Sequence, residues 1–471
     1  MKQTNKIDSP NVLLITIDAL RRDHLGCYGY HRNTSPNIDA LAAKGVTFLQ
    51  AISNGGQTTQ AFPSILESVF PPLDGSGIKP TTRRSITLAE VFKNAGYQTA
   101  AFHSNPLLSH FYGYSKGFNV FDDSYQQMKR WRARRQISVI ASSLRKLIPK
   151  LIEKTGSVMG PTLIRVLNRP TINANEINNK ATSWLQTHSE EFLLWLHYMD
   201  VHFPYMPAGE YLSQFCNHSV SRRQMINLRH KMIRRPNELS QTEIETLINL
   251  YDADIKYTDE MIGSLLDRLR SHLDNTIVII TADHGEEFGE HGSFGHQTVY
   301  DGTLRVPLII AGPDIKGGTV VKQQIGLIDL APTIVDLAAL RSPRGFQGKS
   351  LLPRMEDKEQ ATTGVISVIS TRVNPMVEIA VNIAYRIPDW KYILSESLDD
   401  GRLLGEEVYD LGSDPGETKN LHGEGNGEAD RFELEARKRI AQFKQLKIEE
   451  STDYEKQRIR AKLSKLKKLQ S

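Results

Sequence analysis

Apolar positions in this chain gather in short unbroken runs. NVLLITI (11–17) is continuous and rich in β-branched residues, the pattern of a strand buried on both faces of a parallel sheet, and Asp18 ends it. VTFLQAIS (46–53), QTAAFHS (98–104), FLLWLHYMD (192–200) and TIVIITAD (276–283) read the same way. Between them the spacing turns helical. Thr34-Ser35-Pro36 opens a helix that Gly45 closes, and SITLAEVFKNAG (85–96) and YDADIKYTDEMIGSLLDRLR (251–270) are two more. The glycine-rich NGGQTTQ (54–60) reads as a loop, with a helix from about Pro63. This alternation predicts an α/β fold, a doubly wound and mostly parallel sheet flanked by helices, with a smaller C-terminal α+β part. Such sheets carry their sites at the carboxyl ends of strands. Asp18, the loop at residue 58, Asp200 to His202, and Asp283-His284 are therefore expected on one rim.

Two segments stand apart from the alternation. Between Met128 and Gly156 nine lysines or arginines face the single Glu153, with apolar residues at helical spacing. Residues of about 127–180 are read as a basic helical insertion, either a solvated amphipathic face or a surface for an anionic substrate or peripheral membrane contact. The last stretch, 427–471, reads as a packed helix fraying into a basic tail. The expected organisation is a catalytic domain over 8–340, including the insertion, a smaller subdomain over 341–426, and this tail.

Bulk properties narrow the function. A chain of 471 residues, 39% hydrophobic, can bury a large core, and a net charge of +4 gives no reason to expect a nucleic-acid partner. Cys27 and Cys216 are too few for a disulfide framework and lack zinc-site spacing. The first apolar run is short, is cut by Asp18 and has no small-residue cleavage site, so no signal peptide is read and a cytoplasmic location is expected.

Transfer of a phosphoryl or sulfuryl group needs a cation for the non-bridging oxygens, a nucleophile in line, and donors on the leaving side. Asp18 and the pair Asp283-His284 offer carboxylate and imidazole ligands that suit Mg, Mn, Ca or Zn. A lone strand-end aspartate is otherwise a helix cap or ion-pair partner. Two such sites, each beside glycine-rich loops, favour the metal reading.

The order of the motifs adds a resemblance. NVLLITIDALRRDHLGCYGYHRNTSPNIDALAAKGVTFLQA resembles the opening of sulfatases, in the alkaline phosphatase superfamily, and TADHGEEFGEHGSFGHQTVYDGTLRVPLIIAGP is similar to their late metal-binding segment. LIDLAPTIVDLAAL, FQGKSLLP, WKYIL and VYDLGSDPGETKNL resemble their closing signatures. The resemblance runs from about Asn11 to Leu421. It implies one divalent metal held by Asp18, Thr58, Asp283 and His284, with Thr58, His202 and His296 catalytic. It also implies His202, His296 and Asn105 in contact with an anionic ester substrate, a glycan or a lipid head group. Arg22 and Asp23 are read as supports of the site or as a surface ion pair.

The departures are as informative. Sulfatases carry Cys or Ser in a Cys/Ser-x-Pro-x-Arg motif, converted to formylglycine. Here Thr58 falls at that position, with Thr59 as competitor, and Gln60 and Phe62 replace the proline and arginine. Threonine cannot become the aldehyde. Ala19 stands where a second metal-binding aspartate is usual, and His296 where many sulfatases have lysine. Threonine nucleophiles occur in related phosphate-transferring enzymes. The leading expectation is thus a Thr58-dependent hydrolase or transferase favouring phosphate or phosphonate esters. The alternatives are a sulfatase proper and an inactive sulfatase-like protein that binds anionic glycans or lipids.

Overall fold

The computed structural model describes residues 9–73, 85–124, 172–188, 190–356, 358, 364–372 and 379–469. Its strands are β1 (Asn11–Ile17), β2 (Val46–Ile52), β3 (Gln98–His103), β4 (Val120–Asp122), β5 (Phe192–Tyr198), β6 (Thr276–Ala282), β7 (Glu287–Phe288) and β8 (Phe294–Gly295). They continue with β9 (Arg305–Val306), β10 (Leu308–Ala311), β11 (Thr319–Gly326), β12 (Val365–Arg372), β13 (Ile379–Ile387), β14 (Trp390–Ser397) and β15 (Leu403–Asp410). The main sheet runs β11-β2-β10-β6-β1-β5-β3-β4, with β9 on β2. Most of its pairs are parallel. The exceptions are β10, antiparallel to both β2 and β6, and β9.

The unbroken apolar runs are explained by burial on both faces: every residue of β1, β5 and β6 is buried. Register then sets the site. Ile17 lies opposite Ala282 on β6 and Tyr198 on β5, so Asp18 and Asp283, the next residue on each strand, leave the sheet side by side.

The smaller C-terminal part is a four-stranded antiparallel sheet, β12 to β15, covered by the helix Gly427–Leu469. Ala429, Phe432, Ala436, Ile440 and Phe443, spaced by threes and fours, form one helical stripe packed on Val381, Tyr385 and Tyr392. A buried ion cluster connects the two parts. Asp301, near β9, meets Arg386 at 2.8 Å and Lys391 at 2.6 Å, and Lys391 also meets Glu417 at 2.6 Å.

One expectation changes. The helix after the glycine-rich loop starts at Thr58 rather than near Pro63, because Gln57, in extended conformation, caps it and Pro63 lies inside it. The far end of the expected insertion, from Ile172, falls among the described residues. Ala174–Leu185 is a helix of the main domain, packed on β5 and on the helix Gln241–Arg268, with Ile177, Ala181, Trp184 and Leu185 buried. The basic residues of 127–170, with the surface expected there, lie outside the described residues.

Candidate metal and ester-cleaving site

Asp18, Asp283 and His284 are fully buried, and each turns a ligand atom to a common point where these atoms lie within 4.8 Å of one another. His284 Nδ1 faces the Gly285 carbonyl at 3.0 Å and must donate to it, which leaves the lone pair on Nε2. That Nε2 stands 3.5 Å from Asp18 Oδ1, 3.5 Å from Asp283 Oδ2 and 3.4 Å from Thr58 Oγ1. Neither Asp18 Oδ1 nor Asp283 Oδ2 has a hydrogen-bond partner. Two orphaned carboxylate oxygens and an imidazole lone pair converging in a buried pocket are the donor set that a divalent cation fits.

The opposite oxygens are held in place. Asp18 Oδ2 accepts from Asn105 Nδ2 at 2.8 Å and from His197 Nε2 at 3.2 Å. His197 is in turn oriented by a relay in which Trp195 Nε1 donates to Thr16 Oγ1 and that hydroxyl donates to His197 Nδ1. Asp283 Oδ1 accepts from the backbone N–H groups of His284 at 3.0 Å and Ala19 at 3.4 Å, and Ser53 Oγ holds the Asp283 carbonyl at 2.5 Å. Ala19 has a φ of +60°, a left-handed turn that bends the chain back over Asp283.

The electrostatics match this ligand set. Burial alone would raise the Asp18 carboxyl, but His202, the hydrogen-bonded His197 and His284 outweigh it and hold it below the ordinary range. Burial and the neighbouring Asp18 push the Asp283 carboxyl well up. Burial, with His296 beside it, lowers His284 to about 3, so the imidazole is a neutral ligand.

His202 and His296 line the same pocket. His202 Nδ1 contacts the Phe203 carbonyl at 2.6 Å and its Nε2 points to Asp18 Oδ1 at 4.0 Å. The His296 ring stacks on His284 with centroids 4.3 Å apart and lies 5.1 Å from His202. Its Nδ1 is 3.5 Å from the fully buried Glu286. Burial opposes a charge on His296, but Glu286 more than compensates and raises its pKa.

Several sequence readings are refined by contacts. Thr58 is the first helical residue, with its hydroxyl toward His284 and Asp283, whereas Thr59 Oγ1 is turned to Gln60 Oε1 at 3.0 Å. Asn105 holds Asp18. Asp200 accepts from Ala174 N at 2.8 Å and so fastens the helix Ala174–Leu185. Arg22 and Asp23 do not pair: Asp23 is taken by Arg21 at 2.8 Å, and Arg22 donates to the Leu49 carbonyl. Gly55 and Gly56 are needed for packing. A Cβ on Gly55 would stand 2.4 Å from the Gln60 backbone, and one on Gly56 2.5 Å from the Thr298 carbonyl. Phe62 packs edge-on against His197, with centroids 5.2 Å apart, so the residue in the motif's arginine position braces the relay. Sequence reasoning missed His197, Glu286 and Ser53. For His197 a signal existed, a lone histidine within an otherwise apolar strand.

The sulfatase family profile matches residues 10–340, and the profile of the N-sulphoglucosamine sulphohydrolase C-terminal region matches residues 289–445. Arylsulfatase K of Homo sapiens is 24% identical over 452 residues, covering 88% of this chain and 79% of its own. A sulfatase of Formosa agariphila is 25% identical over 457 residues, covering 89% and 84%. Among solved structures, the phosphonate monoester hydrolase of Agrobacterium radiobacter superposes with a TM-score of 0.70 at 19% identity, over 93% of this chain and 96% of that one. A protein in complex with its substrate D-glucosamine-2-N,6-O-disulfate gives 0.68 at 19%, over 93% and 98%. With the first profile spanning most of the chain, this protein belongs to the sulfatase family and is an ester hydrolase of that family.

Proposed function

We propose that this chain hydrolyses sulfate monoesters through the unmodified Thr58 hydroxyl, with one divalent cation held by Asp18, Asp283 and His284. The observation that carries the reading is the pair of orphaned oxygens, Asp18 Oδ1 and Asp283 Oδ2, facing the His284 lone pair with Thr58 Oγ1 at 3.4 Å. When bound, the cation supplies charge that neutralises the ester oxygens and polarises the hydroxyl. Thr58 Oγ attacks sulfur, and its proton has the Asp283 carboxylate within reach. The departing alcohol oxygen takes a proton from His202 or His296. Water then attacks sulfur, releasing sulfate and restoring the hydroxyl. Glu286 keeps His296 oriented and favours its charged form, which suits contact with the sulfate oxygens.

The preference for phosphate or phosphonate esters expected from Thr58 gives way to sulfate. The relatives that align along most of the chain are named arylsulfatases or sulfatases. The phosphonate monoester hydrolase matches at 19% identity, which carries the fold alone. The inactive binding protein gives way with it. A sulfated sugar, the kind of ligand named for one fold neighbour at the same 19% identity, is the alcohol part this reading proposes. The test is a comparison of 4-nitrophenyl sulfate with 4-nitrophenyl phosphate and bis(4-nitrophenyl) phosphate, with Ca, Mg, Mn or Zn added. Sulfate turnover that requires Thr58 supports the reading. Turnover of the phosphorus esters alone returns the assignment to phosphoester chemistry.

A further inference from the structure

The helix Arg222–Arg234 has no part in the site described above, yet it is built against the loop that carries His202. Ser221 and Gln224 form a capping box at its start. Leu228 and Met232 are its buried face. Arg229 lies over the Phe203 ring, 5.4 Å from the centroid, and Phe203 follows His202 in the chain. Met225 and Ile226 line one small cavity together with Pro204, Tyr205 and Met206.

Its charge is one-sided. RRQMINLRHKMIRR (222–235) holds six lysines or arginines and no acidic residue. Lys231 pairs with Glu243, and Arg235 with Glu238. Arg222, Arg223 and Arg234 are exposed and have no carboxylate partner among the described residues. At 100° per residue, Arg223, Asn227, His230 and Arg234 fall on one exposed stripe, about 16 Å long at 1.5 Å per residue. Arg222 shares the helix side of Arg229, which covers Phe203, and lies two turns nearer the helix start.

We infer that this helix is a docking surface for the flanking part of a polyanionic substrate chain, bearing repeated sulfate or carboxylate groups and entering the site from the His202 side. The inference rests on the proposed ester cleavage for its direction of entry, and on charge complementarity for the partner. Arg223 and Arg234 at the two ends of that stripe, with Arg222 on the Arg229 side, favour an anion with several charges at intervals, because each exposed pair is weak and only their sum gives useful affinity. A lipid surface is the poorer partner. The apolar face of the helix is spent on Leu228 and Met232, leaving Ile233 as its exposed large apolar side chain.

The test uses the full chain and fluorescein-labelled dextran sulfate, followed by anisotropy without turnover, so its result does not depend on the catalytic assignment. The variant is Arg222→Ser/Arg223→Ser/Arg234→Ser. A control removes the same charge elsewhere, through Lys419→Ser, Arg431→Ser and Lys438→Ser, all exposed. The expected result is binding weakened about tenfold in the helix variant, with a shallower salt dependence, unchanged in the control. Turnover of 4-nitrophenyl sulfate should be unaffected, while inhibition by dextran sulfate is relieved. Equal weakening in the control, or unchanged binding in the helix variant, overturns the inference. So does tighter binding of the wild type to phosphatidylserine vesicles, lost in the helix variant, which would make the surface a membrane contact.

Discussion

Replacing Asp283 by Asn keeps the shape of the side chain and removes one of two buried carboxylates. Asp18 and Asp283 place ligand oxygens within 4.8 Å of each other. At an effective dielectric of about 20, two full charges at that distance repel by about 3.5 kcal/mol. The metal-free fold relieves part of this by protonating Asp283, whose carboxyl is pushed up by burial and by Asp18. A raised folded pKa contributes stability that is complete below the ordinary carboxyl value of about 3.9 and is lost as pH rises through the folded value. The contribution of Asp283 to the metal-free wild type therefore falls on going from acid to neutral pH, and Asp283→Asn does not share that loss. In chelator at pH 7 the variant should be more stable than the wild type by about 1–3 kcal/mol. The order reverses with cation: a thousandfold excess over Kd stabilises the wild type by about 4.1 kcal/mol and the variant by little. Thermal unfolding in EDTA and in Ca, Mg, Mn or Zn, with metal content measured on the same samples, reads both effects. A wild type indifferent to every divalent ion, or a variant that responds as the wild type does, would refute the metal assignment.

The two threonines separate cleanly in the structure and should separate in kinetics. Thr58→Ala is expected to lower sulfate ester turnover by about four to six orders of magnitude, the size seen when a covalent nucleophile is lost. Thr59→Ala, whose hydroxyl is occupied by Gln60, should keep most of it; the reverse pattern would move the nucleophile to Thr59. Asp301→Asn leaves the buried Arg386 and Lys391 short of a partner and should cost about 3 kcal/mol, the low end of the range for a broken buried pair because Lys391 keeps Glu417. Burial opposes ionisation of Asp301, but Lys391 and Arg386 depress its pKa, so its contribution is present above pH about 4 and fades as pH falls toward the folded value. The gap in Tm between wild type and Asp301→Asn, measured from pH 7 to pH 3, should narrow with acid.

The strands and the long helices were legible in the sequence because burial on both faces leaves an unbroken apolar run, which a single chain segment displays by itself. Asp18, Asp283 and His284 were legible for a related reason: a charged residue that ends such a run must find water, a cap or a cation. What no segment displays is register. The pairing of Ile17 with Ala282 and Tyr198 is a relation between residues hundreds of positions apart, and it alone makes two strand-end aspartates share one point. The same holds for His197, which in the sequence is one more residue of a buried strand and in the fold is the donor that fixes Asp18. Gly55 and Gly56 read in the sequence as a loop with open space beside the backbone. Tertiary packing shows that space filled by the Gln60 backbone and the Thr298 carbonyl. The start of the helix at Thr58 also lay beyond local reading, because an extended Gln57 and close contact through Gly55 open it there, ahead of the proline that marked a first turn in the sequence. Sequence thus determined which residues could do chemistry. The fold decided which atoms of those residues face one another, because distance and lone-pair direction exist only once the strands are in register.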